Sequence, residues 1–251
     1  SWNVLNTAYL HWIYNNDQGL ANSQITKENI PFNNVTLRDQ HNICHLLEMV
    51  SNNKHIICLQ ECSEPFIQTL FNYLPKNIKI VRSSENAVKN QNIILFDTNL
   101  FELIEKTLHQ NTFPSDPRPL MEVVLRDQYA QYRIYNAHLK CDASKSHRFE
   151  LADFVLSRLQ TDEITIILGD LNVDHDKMIE ALNNPAFIAI SPYRTTVSPE
   201  LEAKAIDHFF IFGSSAEALP ANDVLLGLQL LVDILNQKKD YNMLQTQNRK
   251  K

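Results

Sequence analysis

The chain has 251 residues, 44% of them hydrophobic and 21% charged, which is ordinary for a globular protein able to bury a sizeable core. Its formal net charge of −6 argues against wrapping of long nucleic acid on a basic surface, since such binding draws on many Lys and Arg contacts to phosphates. A nuclease stays open, because a bound cation supplies positive charge where acidic side chains converge.

In chain order, Trp2 to Leu5 reads as a strand, followed by an Asn-rich polar stretch to about Val35 that reads mostly as loop. Thr36 is placed to cap a helix whose apolar positions Ile43, Leu46, Leu47 and Val50 recur at helical spacing. Ile56 to Leu59 is a continuous apolar run, the mark of a strand buried on both faces. Pro65 suits the first turn of a helix through Phe66, Ile67, Leu70 and Phe71. Strands are expected at Ile78 to Val81, Ile93 to Phe96, Met121 to Leu125 and Arg133 to Asn136, with a proline-bearing loop from Pro114 to Pro119. A helix is expected over Ala143 to Leu159, with Phe149, Ala152, Val155, Leu156 and Leu159 on one face. Buried strands follow at Ile164 to Leu168 and Ile206 to Phe212. A last helix is expected from Asp223 through Leu225, Leu228, Leu231, Val232 and Leu235, before a tail ending in Arg249, Lys250 and Lys251. Strands alternating with helices predict a layered α/β domain, and with four glycines and no linker composition the chain reads as one domain, 1–251.

No run of eighteen apolar residues predicts a membrane span. Cys44, Cys58, Cys62 and Cys141 lie in no metal-binding spacing and read as reduced thiols of a reducing compartment, so a cytoplasmic location is expected; the protein is also expected to be a monomer. Ser1 is not Met, so a trimmed targeting segment stays open.

Polar groups collect where the apolar runs end. Asn3 lies in the first strand; Glu61 follows Ile-Ile-Cys-Leu-Gln; His138 follows Tyr-Asn-Ala; Asp170 and Asn172 close Ile-Leu-Gly-Asp-Leu-Asn; Asp207 opens Asp-His-Phe-Phe-Ile. Ligands of α/β sheets bind outside strand ends, where distant parts of the chain converge. A few hard oxygen ligands suit Mg²⁺, which takes one or two carboxylates and keeps several waters. Asp170 and Asn172, two apart on an extended chain, point to the same side. Taken singly, each has a duller reading: Asn3 as a backbone partner, Glu61 as the first solvated residue after a strand, Gly169-Asp170 as a turn.

As an ordered set, Trp2-Asn3-Val4, Leu59-Gln60-Glu61, Asn136-Ala137-His138-Leu139, Gly169-Asp170-Leu171-Asn172 and Ile206-Asp207-His208-Phe209 resemble the endonuclease/exonuclease/phosphatase superfamily over residues 2 to 212. The resemblance implies the DNase I-like α/β fold, a four-layer sandwich of two mixed β-sheets packed face to face with helices outside. It also implies hydrolysis of phosphodiester or phosphomonoester bonds with Mg²⁺ (or Mn²⁺) as cofactor and a phosphorylated partner, whether nucleic acid, lipid or inositol phosphate.

The same resemblance makes Glu61 the main metal ligand with Asn3 beside it. Asp170 would orient or deprotonate the attacking water, Asn172 would hold a phosphate oxygen, His138 would donate to the scissile phosphate, and Asp207 would orient a second histidine. Arg148 falls at a recurrent basic position of the family, although a surface helix arginine is the plainer reading. The pattern departs in one place: no Ser-Asp-His segment lies between Asp207 and Lys251, and the last histidine is His208. The expectation is that the sequence stops before the last strand. The competing reading is a non-catalytic member of the fold that binds a partner or phosphorylated ligand.

Overall fold

The computed structural model describes residues 2–3, 32–84, 90–110, 118–140, 146–184, 187–190, 196–197, 203–204 and 207–213. In chain order its elements are β1 (Trp2–Asn3), α1 (Phe32–Ser51), β2 (Ile56–Cys62), α2 (Glu64–Tyr73), β3 (Ile78–Arg82) and β4 (Gln91–Asp97). There follow β5 (Glu102–His109), β6 (Leu120–Arg126), β7 (Gln131–His138), α3 (Ser146–Leu156), β8 (Glu163–Asp170) and α4 (His175–Leu182), and finally β9 (Phe187–Ile190), β10 (Thr196–Val197), β11 (Ala203–Lys204) and β12 (Asp207–Gly213).

Two sheets carry the architecture. The first has the order β1-β2-β4-β3 and the second β5-β6-β7-β8-β12-β9, while β10 and β11 form a separate two-stranded ribbon. Both large sheets are mixed: β1 runs parallel to β2 and β7 parallel to β8, with the remaining pairs antiparallel.

Three apolar layers explain why the sheets face each other. Cys58, Val81, Ile94 and Phe96 of the first sheet meet Met121, Val123, Leu125, Ile134 and Leu168 of the second. The opposite face of the first sheet, through Ile57, Leu59, Cys62, Ile93 and Leu95, is covered by Ile43 and Leu46 of α1 and Phe66, Ile67 and Leu70 of α2. The opposite face of the second sheet, through Leu120, Tyr135, Ala137, Ile167 and Phe210, is covered by Leu151, Ala152 and Val155 of α3 and Met178, Ala181 and Leu182 of α4. Helix, sheet, sheet, helix is the four-layer α/β sandwich expected from the motifs. Strands in its middle are apolar on both faces, as β2, β4 and β6 show, because neither face meets water.

Local signals account for most elements. Ser63 caps α2, its Oγ accepting from the Phe66 N–H, and Pro65 sits in the first turn, where no donor is needed. Several expectations need correction. α1 begins at Phe32, so Thr36 lies inside the helix and does not cap it. Phe71 is 70% exposed, because the buried stripe of α2 is narrow, confined to Phe66, Ile67 and Leu70. On α3 the buried stripe is His147, Leu151, Ala152 and Val155, a rotation that carries Phe149 out to solvent, where the Arg148 guanidinium covers its ring.

β5, β9 and α4 have no counterpart among the expected elements. β5 is an edge strand whose charged residues Glu102, Glu105 and Lys106 and a register shift between Leu103 and Glu105 break period-two alternation. The end of the first strand beyond Asn3, the Asn-rich stretch to residue 31, most of the proline loop, residues 143–145, Cys141, Ile206 and the helix from Asp223 lie outside the described residues. Among the described residues, no helix is long and apolar enough to cross a membrane.

Candidate functional site

Backbone register gathers the candidate residues at one end of the sandwich. His138 ends β7 and Asp170 ends β8, and the two are register partners; Asp170 is in turn paired with Asp207, the first residue of β12. The register sets His138, Asp170 and Asp207 side by side as one row of backbone positions across β7, β8 and β12. In the other sheet Asn3 on β1 lies opposite Gln60, one residue before Glu61, and β1 also runs close to β8. The side chains of Asn3 and Asp207 lie outside the described residues.

Glu61 enters this row by an irregularity. Leu59 packs toward α1 and α2, Cys58 toward the second sheet and Gln60 toward the second sheet, so strict alternation would turn Glu61 toward the helices. Instead, the ladder between β2 and β4 shifts between Leu59 and Cys62, and Glu61 has φ +57°, a left-handed conformation uncommon outside glycine. The bulge brings Glu61 Oε1 to 3.4 Å from His138 Nε2, with both side chains about nine-tenths buried.

Gly169 and Asn172 add two further departures from regular strand. Gly169 is no turn residue, because β8 continues through Asp170; it has φ +138° and its Cα presses on Ala137 of β7, where a Cβ would sit 1.8 Å from the Ala137 carbonyl oxygen. Asn172 has φ +49°, so the extended chain assumed for residues 170 to 172 is not present. Its backbone N–H donates to Asp170 Oδ1 at 3.1 Å and its Nδ2 donates to the Leu139 carbonyl at 2.8 Å, while the Leu139 N–H donates to the Asp170 carbonyl. These bonds fix the Asp170 carboxylate, itself buried, and tie the two loops leaving β7 and β8 to each other.

The donor set suits a hard cation. Among the described residues no group of three or more His, Cys, Asp or Glu side chains converges on one point. Two buried carboxylates, Glu61 and Asp170, at one end of the sandwich are hard oxygen donors of the kind Mg²⁺ takes in ones and twos while keeping most of its waters.

Arg148 is less exposed than a surface arginine: its side chain is 11% accessible, ion-paired with Glu180 of α4 at 3.8 Å. It belongs to the α3–α4 layer.

The sequence profile of the endonuclease/exonuclease/phosphatase family matches residues 1–223. The chain belongs to this family. Solved structures agree on the fold. TDP2 from D. rerio, complexed with a single-strand DNA product, superposes with a TM-score of 0.61 at 15% identity, covering 85% of this chain and 82% of that one. Mannosyl-6-phosphatase from Bacteroides thetaiotaomicron gives 0.60 at 14% identity, covering 84% and 83%. The human Nocturnin catalytic domain with a bound sulfate anion gives 0.55 at 18% identity, covering 68% and 74%. No curated protein matches the sequence significantly.

Within this endonuclease/exonuclease/phosphatase member, three buried amides escaped attention as site residues: Gln60, Asn92 and Asn136. Each is a polar residue at a buried position of a strand whose apolar residues build the core.

Proposed function

We propose that the chain is a divalent-metal-dependent phosphoester hydrolase, with Glu61 and Asn3 as the protein ligands of Mg²⁺ and His138, Asp170, Asn172 and Asp207 around the scissile phosphate. The observation that carries this reading is the row His138–Asp170–Asp207 across the second sheet, faced by the left-handed Glu61 of the first. Strain of that kind persists only where the surroundings over-determine it, and it clusters at functional sites.

When bound, the cation polarises a phosphate oxygen and offsets the charge that grows during in-line displacement. The chain's own groups do the rest. Asp170, held by the Asn172 N–H, accepts a proton from the attacking water as its oxygen bonds to phosphorus and the bond to the leaving oxygen breaks. His138 donates to a phosphate oxygen. Asn172 has one Nδ2–H committed to Leu139 and retains its second for the phosphate.

The leaving group is not specified by the fold, since solved structures of the same shape carry a DNA product in one case and the name of a sugar phosphatase in another. The acidic balance of the chain favours a short or small phosphoester over duplex DNA.

The experiment is Mg²⁺-titrated hydrolysis of bis(p-nitrophenyl) phosphate and p-nitrophenyl phosphate. Cleavage of at least one is expected, lost by at least about 100-fold in Glu61→Ala, since a metal's charge stabilisation is worth several kcal/mol. No cleavage of either ester, together with unchanged Mg²⁺ affinity after Glu61→Ala, refutes the reading. The second reading is a binding module on the same fold. It predicts Mg²⁺ binding at Glu61 without turnover.

A further inference from the structure

Beneath the site the two sheets are joined by amides as well as by apolar contact. Asn136 of β7 is fully buried, and its side chain crosses to the first sheet. There its Nδ2 donates to the Leu59 carbonyl at 3.2 Å and to the Ile93 carbonyl at 3.0 Å, while its Oδ1 accepts from Gln60 Nε2 at 2.8 Å. Asn92 Nδ2 donates to the backbone carbonyl of Asn136 at 3.3 Å. Both amide hydrogens and the amide oxygen of Asn136 are thus committed to β2 and β4.

The placement of these bonds matters more than their number. Leu59 and Ile93 are register partners, and theirs is the last pair before the ladder shifts to Cys62 opposite Gln91. Glu61 sits in the extra length of β2 between those two rungs. Asn136 is also two residues before His138 on the same face of β7. One side chain therefore grips the rung from which Glu61 departs and stands on the strand that presents His138.

We propose that Asn136 is a positioning residue: by clasping Leu59, Ile93 and Gln60 it holds the β2 bulge that turns Glu61 toward His138, and so sets the cation affinity of Glu61. This rests on the reading of Glu61 as a metal ligand. A core amide with a merely structural role lowers stability when removed but leaves the cation affinity of the folded protein unmoved. A clasp moves both, because ligand orientation by neighbouring hydrogen bonds typically changes metal affinity by roughly 10- to 100-fold.

The test compares wild type with Asn136→Leu, close in shape but without hydrogen bonds, and with Leu151→Ala, a cavity in the α3 layer remote from the clasp. Mg²⁺ affinity is measured by calorimetric titration of the folded proteins, and amide hydrogen exchange is followed across β2, β4 and β6. Asn136→Leu is expected to bind Mg²⁺ roughly 10- to 100-fold more weakly. Its exchange is expected to rise in residues 59–62 and 91–93, with β6 as in wild type. Leu151→Ala should leave the Mg²⁺ affinity unchanged.

Folded Asn136→Leu with wild-type Mg²⁺ affinity overturns the proposal. If Asn136→Leu does not fold, Gln60→Met removes one of the three bonds and is held to the same two readouts, with a smaller loss of affinity expected. If wild type itself binds no Mg²⁺, the proposed function falls, and exchange alone decides the clasp: a rise confined to residues 59–62 and 91–93 supports it, and a uniform change overturns it.

Discussion

Gly169→Ala should damage both the fold and the site, and the geometry sets the scale. A Cβ on Gly169 would lie 1.8 Å from the Ala137 oxygen and 2.8 Å from the Ala137 carbon, both backbone atoms of a central strand with no flexible end to move aside. Restoring even the shortest tolerated contact, 3.0 Å, requires β7 and β8 to part by more than about 1 Å. The backbone adds to this, since φ +138° is closed to L-residues and holding or leaving it costs about 1–3 kcal/mol. Overpacking of a central layer adds about 1–3 kcal/mol more. The expected loss is therefore ~2–6 kcal/mol, and a chain of this length loses about 2–4 °C of Tm for each kcal/mol.

His138 and Asp170 adjoin the clash on both strands, and a 1 Å misplacement of reacting groups costs about 10²-fold in rate. Thermal melting and phosphoester hydrolysis on the same preparation provide the assay. Gly213→Ala is the control, because its Cβ would meet only Ile164 Cγ1 at 3.7 Å and should stay within about 0.5 kcal/mol of wild type. A Gly169→Ala protein that melts within 1 kcal/mol of wild type by the same conversion, or a Gly213→Ala protein equally damaged, refutes the reasoning.

Arg133 is expected to be the most costly charge to remove on the outer face of the second sheet. It lies between Glu122 and Glu163, bonded to both, with 11% of its side chain exposed, and Glu122 also contacts His109. Arg133→Met removes the guanidinium between two buried carboxylates, leaving Glu122 to His109 and Glu163 to the Gln131 amide, and should cost about 3–5 kcal/mol in urea unfolding. A loss under 1 kcal/mol would show that the carboxylates repartner or protonate freely. The buried thiols predict an alkaline limit. Burial pushes Cys58 up to about 12 and Cys62 well above its ordinary value, whereas thiols of the unfolded chain ionise near 9.0. Above that pH the unfolded state binds fewer protons than the folded one, so stability falls as pH rises, by about 1.4 kcal/mol per unit for each thiol. Urea midpoints from pH 8 to 11 should show a slope that flattens in Cys58→Ala; an identical slope sinks the assignment. Of Cys44, Cys58 and Cys62, only the exposed Cys44 should react with iodoacetamide in the native protein.

The sandwich was legible because its middle strands are apolar on both faces, and runs such as Ile93 to Phe96 and Ile164 to Leu168 announce that directly. What periodicity could not show was the edge. β5 alternates poorly because it meets solvent and carries a bulge, and β9 is a short strand completing the sheet beside β12. Helix faces were read a little too wide: Phe71 and Phe149 fall at plausible spacing, yet the sheet beneath has room for a narrower stripe, and on α3 His147 takes the inner position.

The candidate site residues stand out in the sequence as motifs and not as geometry, for a physical reason. Every pattern rule used on the sequence assumes regular φ and ψ, and the site is where the chain leaves them. Of the five described residues with positive φ, Glu61, Gly169 and Asn172 stand at the ends of β2 and β8, while Asn53 and Asn183 follow helices. A regular β2 would send the Glu61 carboxylate toward α1 and α2, and a regular β8 with any Cβ at 169 would push His138 and Asp170 apart. The irregular residues are what let two sheets, packed by ordinary apolar faces, aim polar groups from both into the space beyond their strand ends. The buried amides Gln60, Asn92 and Asn136 lie just beneath them, bonded across the gap between the sheets. At Glu61 core polarity and backbone irregularity meet, because the Leu59–Ile93 rung from which it departs is the one that the buried Asn136 side chain bonds.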